Sequence, residues 1–67
     1  MRLNNEKMKQ LNNLLEFLPD QHIIDTIRRY FGGGGDKESL YFSAGVSKKQ
    51  QSDADMFINN FTKEYLK

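Results

Sequence analysis

The chain has 67 residues, no cysteine and one histidine, and its ten Lys and Arg against nine Asp and Glu leave a formal charge of +1. This composition excludes disulfides, thiolate zinc sites and His-rich metal sites, and it excludes nucleic-acid binding driven by bulk charge alone. A chain of this length forms one domain and buries only about 60% of its unfolded surface, so it relies on close helix packing or on a partner.

No apolar run approaches the roughly 18 residues of a membrane span. The segment Met1-Arg2-Leu3-Asn4-Asn5-Glu6 turns polar at once and lacks a signal-peptide core. These features lead to the expectation of a protein of the reducing cytoplasm that meets no membrane.

The first predicted element is a helix over residues 4–18, capped by Asn4 or Asn5, whose short side-chain oxygen reaches the free amides of the first turn. Met8, Leu11, Leu14, Leu15 and Leu18 recur at helical spacing on one face. Phe17 is expected at the edge of that stripe, and Asn12, Asn13 and Glu16 opposite it. Pro19 ends the helix because it pushes the residue before it out of the α region.

Asp20 caps a second helix over 20–31, with Ile23, Ile24, Ile27, Tyr30 and Phe31 on a narrow apolar face and His22, Asp25 and Arg29 on the polar one. Asp25 and Arg29 are four apart, a spacing that pairs opposite charges along a helix. With only Pro19 and Asp20 between them, the two helices should form a tight antiparallel hairpin. The run Gly32-Gly33-Gly34-Gly35 then stops the second helix and reads as a flexible linker, either a native loop or an engineered join between two helical halves.

In the second half, Asp36 caps a short helix over 37–44 that stops at Gly45. The rival is a strand through Leu40-Tyr41-Phe42, which has no second strand to pair with. The last helix runs to 66 and starts at 48 or 53, since both Ser47-Lys48-Lys49-Gln50 and Ser52-Asp53-Ala54-Asp55 fit a capping box. Its apolar face is Ala54, Phe57, Ile58, Phe61 and Tyr65, while Met56 points away beside Asn60 and Lys63. The expected fold is all-α, a small bundle of about four helices in a single domain spanning 1–67.

Motifs for chemistry are sparse. Residues 32–39 (GGGGDKES) lack the spacing and the preceding strand of a phosphate loop. His22 with Asp20 or Asp25 has no nucleophile near it in sequence. Asp53 and Asp55, two apart on a helix, face different directions. The expectation is no enzyme, no cofactor, no metal and no small-molecule substrate.

One segment carries more content. Leu40-Tyr41-Phe42-Ser43-Ala44-Gly45-Val46-Ser47 resembles the turn of a DNA-binding helix-turn-helix, in which a leucine closes the first helix, A-G-V-S makes the turn and a serine starts the recognition helix. The resemblance implies a degenerate helix-turn-helix at 37–58, with DNA contacts from Ser47, Lys48, Lys49, Gln50 and Gln51 and phosphate contacts from Arg28 and Arg29. The segment departs from the pattern at Tyr41, where a small residue belongs, and at Gln51, where an apolar one belongs.

Two readings therefore stand. The first is a small protein-protein interaction module, a regulatory protein acting through another protein or a homodimer, with interface candidates Phe17, Tyr41, Phe42 and Met56. The alternative is a small DNA-binding transcriptional regulator.

Overall fold

A computed structural model describes residues 3–66. Those residues form an all-α bundle of four helices: α1 (Asn5–Leu15), α2 (Gln21–Phe31), α3 (Lys37–Ala44) and α4 (Lys48–Tyr65). No strand occurs among the described residues, and Leu40-Tyr41-Phe42 lies inside α3.

Local chemistry sets each helix start. Asn4 Oδ1 accepts the Lys7 amide at 2.9 Å and caps α1. Asp20 Oδ1 accepts the His22 amide at 2.9 Å and that of Ile23 at 3.4 Å. Asp36 accepts from Ser39 at 2.8 Å. Of the two candidate starts for the last helix, the chain uses Ser47. Its Oγ accepts the Gln50 amide at 3.2 Å, while Gln50 Oε1 accepts the Ser47 amide at 2.7 Å, closing a capping box.

The helix ends differ more from expectation. The α1 helix stops at Leu15 instead of 18. Its last turn tightens, with Phe17 donating to Leu14 and Leu18 to Leu15, bonds that span three residues instead of four. That change of period rotates Phe17 out of the expected stripe, and it is 84% exposed.

The glycine run folds back on the end of α2. The amides of Gly32 and Gly34 donate to the Arg28 and Arg29 carbonyls at 2.8 Å each, and Gly33 sits at φ 88°. At the end of α3, Gly45 takes the left-handed conformation (φ 65°), and its amide and that of Val46 both donate to the Tyr41 carbonyl.

The central helix is α2, which packs against α1, α3 and α4. Ile23, Ile24, Ile27 and Phe31 meet Leu11 and Leu15 of α1, Tyr41 of α3, and Ala54, Ile58 and Phe61 of α4. Phe31 and Phe61 make an edge-to-face pair with centroids 5.1 Å apart. Thr26 also lies on the buried face of α2, its hydroxyl satisfied by the His22 carbonyl at 2.8 Å. Arg28 Nε donates to Asn12 Oδ1 at 3.0 Å and ties α2 to α1. The expected Asp25–Arg29 pair gives way to a hydrogen bond from Gln21 Nε2 to Asp25 at 2.9 Å.

Candidate functional site

Among the described residues three large apolar side chains stand well out of the bundle: Phe42 is 89% exposed, Phe17 84% and Met56 62%. Tyr41, expected with them on an interface, is not available to a partner. It is 6% exposed, its ring is part of the core, and its hydroxyl donates to Asp55 Oδ1 at 2.7 Å. Burial is the main cause that pushes the Tyr41 phenol well above its usual range, reinforced by the hydrogen bond to Asp55. Lys37 meets the same Asp55 oxygen at 3.3 Å, so α3 is pinned to α4 by a phenol, a carboxylate and an ammonium.

Met56 belongs to a longer feature. A depression of about 420 Å³ lies between the α1–α2 turn and α4, with Leu18, Pro19 and Ile23 on one side and Lys49, Asp53 and Met56 on the other. A second, of about 240 Å³, lies further along the same helix, between Leu14 of α1 and Phe57, Asn60, Phe61, Glu64 and Tyr65 of α4. Both combine apolar side chains with charged or amide groups. The sequence singled out Met56 and Asn60 as outward-facing. It did not show that Leu14 and Leu18 lie beside them, because that depends on how α1 sits against α4.

A third depression, about 210 Å³, is polar and is lined by His22, Asp25, Thr26, Arg29, Ser43 and Ala44. Here the fold brings a hydroxyl, Ser43, to the same cleft as His22 and Asp25, a nearness that sequence distance concealed. Among the described residues no hydrogen bond joins the three, and Asp25 takes its bond from Gln21. Among the described residues no group of three His, Cys, Asp or Glu side chains could hold a metal ion.

Several of the residues expected at DNA make bonds within the chain, while Arg28, Arg29, Ser47, Lys48 and Lys49 all stay exposed. Ser47 Oγ serves as the α4 cap. Gln50 spends both ends of its amide, Oε1 on the Ser47 amide and Nε2 on Asp20 Oδ2 at 2.8 Å. Gln51, the departure from the motif, turns back to the Val46 carbonyl at 3.4 Å. Lys49 reaches Asp53 at 3.2 Å and Arg28 holds Asn12. Lys48 and Arg29 are exposed, Arg29 at the rim of the polar cleft.

Compared with protein-family models, with curated proteins and with solved structures, the chain matches none. Among the described residues no helix is long and apolar enough to cross a membrane.

Proposed function

We propose that the chain is a small helical protein-protein interaction module, a regulatory protein of the cytoplasm that works by binding and not by catalysis. The observation that carries this reading is the outward face of α4, where Met56 is 62% exposed between two depressions floored by Leu14, Leu18, Ile23 and Phe61. Apolar floors rimmed by charge and amide are the anatomy of a contact patch. A protein of this size with a thin core also gains stability from any partner that binds only its folded state.

The test is site-specific photo-crosslinking in source cells, with a benzophenone side chain at Phe17 or Met56 and a control at the exposed Lys9. Crosslinks to a protein from positions 17 and 56, and not from 9, are expected. Cells in which neither position captures a protein would remove the reading.

The DNA-binding alternative is favoured by one observation, the left-handed Gly45 in a three-residue turn between α3 and a serine-capped α4. It predicts duplex binding that weakens with salt and is abolished, without unfolding, by Lys48→Glu combined with Lys49→Glu. Binding retained in that double variant would rule it out.

A further inference from the structure

The partner of the α4 face follows from the order of residues along it. Lys49, Asp53, Met56, Asn60 and Glu64 recur at intervals of four, three, four and four, and all five are exposed. This is the spacing by which one helix presents a continuous stripe to another. The stripe carries an approximate two-fold symmetry, although Lys49 and Asp53 within it also pair with each other at 3.2 Å. Reversed about a point between Met56 and Phe57, four of its five positions exchange among themselves, and Met56 exchanges with the half-buried Phe57 beside the stripe. Met56 falls opposite Phe57, Asp53 opposite Asn60, and Lys49 opposite Glu64. The apolar pair lies at the centre, an acceptor meets an amide beyond it, and opposite charges meet at the ends.

We infer that the occupant of this face is a second copy of the chain, packed antiparallel through α4 about a two-fold axis between Met56 and Phe57. The inference rests on the interaction reading above and names its partner. Under that axis the rim residues Lys49, Asp53 and Met56 of one copy lie against Phe57, Asn60 and Glu64 of the other. An isologous interface requires this kind of self-complementarity, because each contact is made twice. From Lys49 to Glu64 the stripe runs fifteen residue steps, about 23 Å of α4. Charge gives the pairing its direction. An antiparallel pair joins Lys49 to the partner's Glu64 twice, whereas a parallel pair would set Lys49 on Lys49 and Glu64 on Glu64.

The test is the solution mass of the full chain by light scattering and sedimentation over a concentration series, with helicity checked by circular dichroism. A dimer is expected. E64K places like charges at both ends of the seam and should raise the dissociation constant by about tenfold or more. K49E combined with E64K exchanges the charges and should restore the dimer. As an independent arm, Met56→Cys in this cysteine-free chain should give a covalent dimer on oxidation, while Asn13→Cys should not.

A chain that stays monomeric to millimolar concentration overturns the inference. So does a dimer indifferent to E64K, a charge exchange that fails to restore it, or equal oxidation at positions 13 and 56. A monomer whose positions 17 and 56 still crosslink to a different protein would end the dimer and leave the interaction reading intact. Loss of both would end both.

Discussion

Gln50 donates through Nε2 to Asp20 Oδ2 at 2.8 Å, joining the N-cap of α2 to the first turn of α4 across thirty residues of sequence. The other end of the same amide accepts the Ser47 amide and completes the α4 capping box. One side chain thus fixes two helix starts relative to each other. Gln50→Ala should cost about 1–2 kcal/mol, since it removes half of a capping box and the partner of a charged cap. Gln50→Glu separates the two roles. A glutamate can still close the capping box, but it brings a second carboxylate against Asp20. Its melting temperature at pH 7 should lie below that of Gln50→Ala, and the gap should narrow on acidification as the carboxylate pair takes up a proton. Equal melting temperatures across pH would show that the link to Asp20 contributes nothing.

Acid sensitivity follows from the same caps. The Gln50 amide is the foremost cause holding the Asp20 carboxyl below its ordinary value of 3.8, helped by the His22 and Ile23 amides against an opposing effect of burial. The Ser39 backbone amide lowers Asp36 in the same way. A carboxyl with a lower value in the folded state stabilises the fold above its unfolded value and loses that contribution as pH falls through the folded one. The melting temperature should therefore be level from neutrality to about pH 5 and fall below about pH 4. Asp20→Asn with Asp36→Asn keeps both side-chain acceptors and should flatten that fall. An unchanged acid limb in the double variant would place the sensitivity in other groups.

The helix starts and stops were legible in the sequence because they are local chemistry. Asp20 and Asp36 cap, Asn4 and Ser47 were each one of two candidates, and Gly32 and Gly45 stop. The faces of α2 and α4 were largely legible from their period, though Tyr65, expected on the apolar face of α4, is exposed and Phe57 is only half-buried. The end of α1 was not, because bonds spanning three residues replaced the helical ladder after Leu15 and turned Phe17 outward. Tyr41 was misplaced because an eight-residue helix has only two turns, too few for its apolar pattern to tell the buried Tyr41 from the exposed Phe42. Gln50, which looked like a base reader, is held by Asp20, a tertiary contact that no spacing rule reveals. The α4 stripe was partly visible through Met56 and Asn60. Its neighbours Leu14 and Leu18 came to it only through the packing of α1.

Tyr41 gives an alkaline prediction. Its phenol is raised from an ordinary 10.0, chiefly by burial. A group raised in the folded state contributes stability that is complete below its unfolded value and is lost as pH rises from there through the folded one. Stability should begin to fall above about pH 10 as the unfolded chain releases a proton that the folded chain holds. Tyr41→Phe removes the titrating group and should make that fall shallower. At pH 7 the same change should cost about 1 kcal/mol for the lost bond to Asp55, which keeps Lys37 at 3.3 Å. Denaturant melts of both proteins at pH 7 and near pH 11 would check the two effects, and parallel alkaline limbs would contradict the assignment.

A series of phenylalanine truncations separates core from surface. Phe31 is fully buried at the C-terminal end of α2, with its ring edge-on to both Tyr30 and Phe61 at 5.1 Å. Phe31→Ala and Phe61→Ala should each cost about 3–5 kcal/mol. The stability of natural domains begins near 5 kcal/mol, so either loss should leave the chain largely unfolded at 37 °C. Phe57 stacks on Phe61 but is only half-buried at the edge of the outward face. Its truncation should cost about 1–2 kcal/mol and leave a folded chain, because the site opens to solvent and leaves no closed cavity. Phe17→Ser and Phe42→Ser should fall within about 0.5 kcal/mol of the parent, as exposed positions do. If Phe57→Ala unfolds the chain as Phe31→Ala does, the α4 face is core, and the surface assigned to a partner is narrower than its exposure indicates.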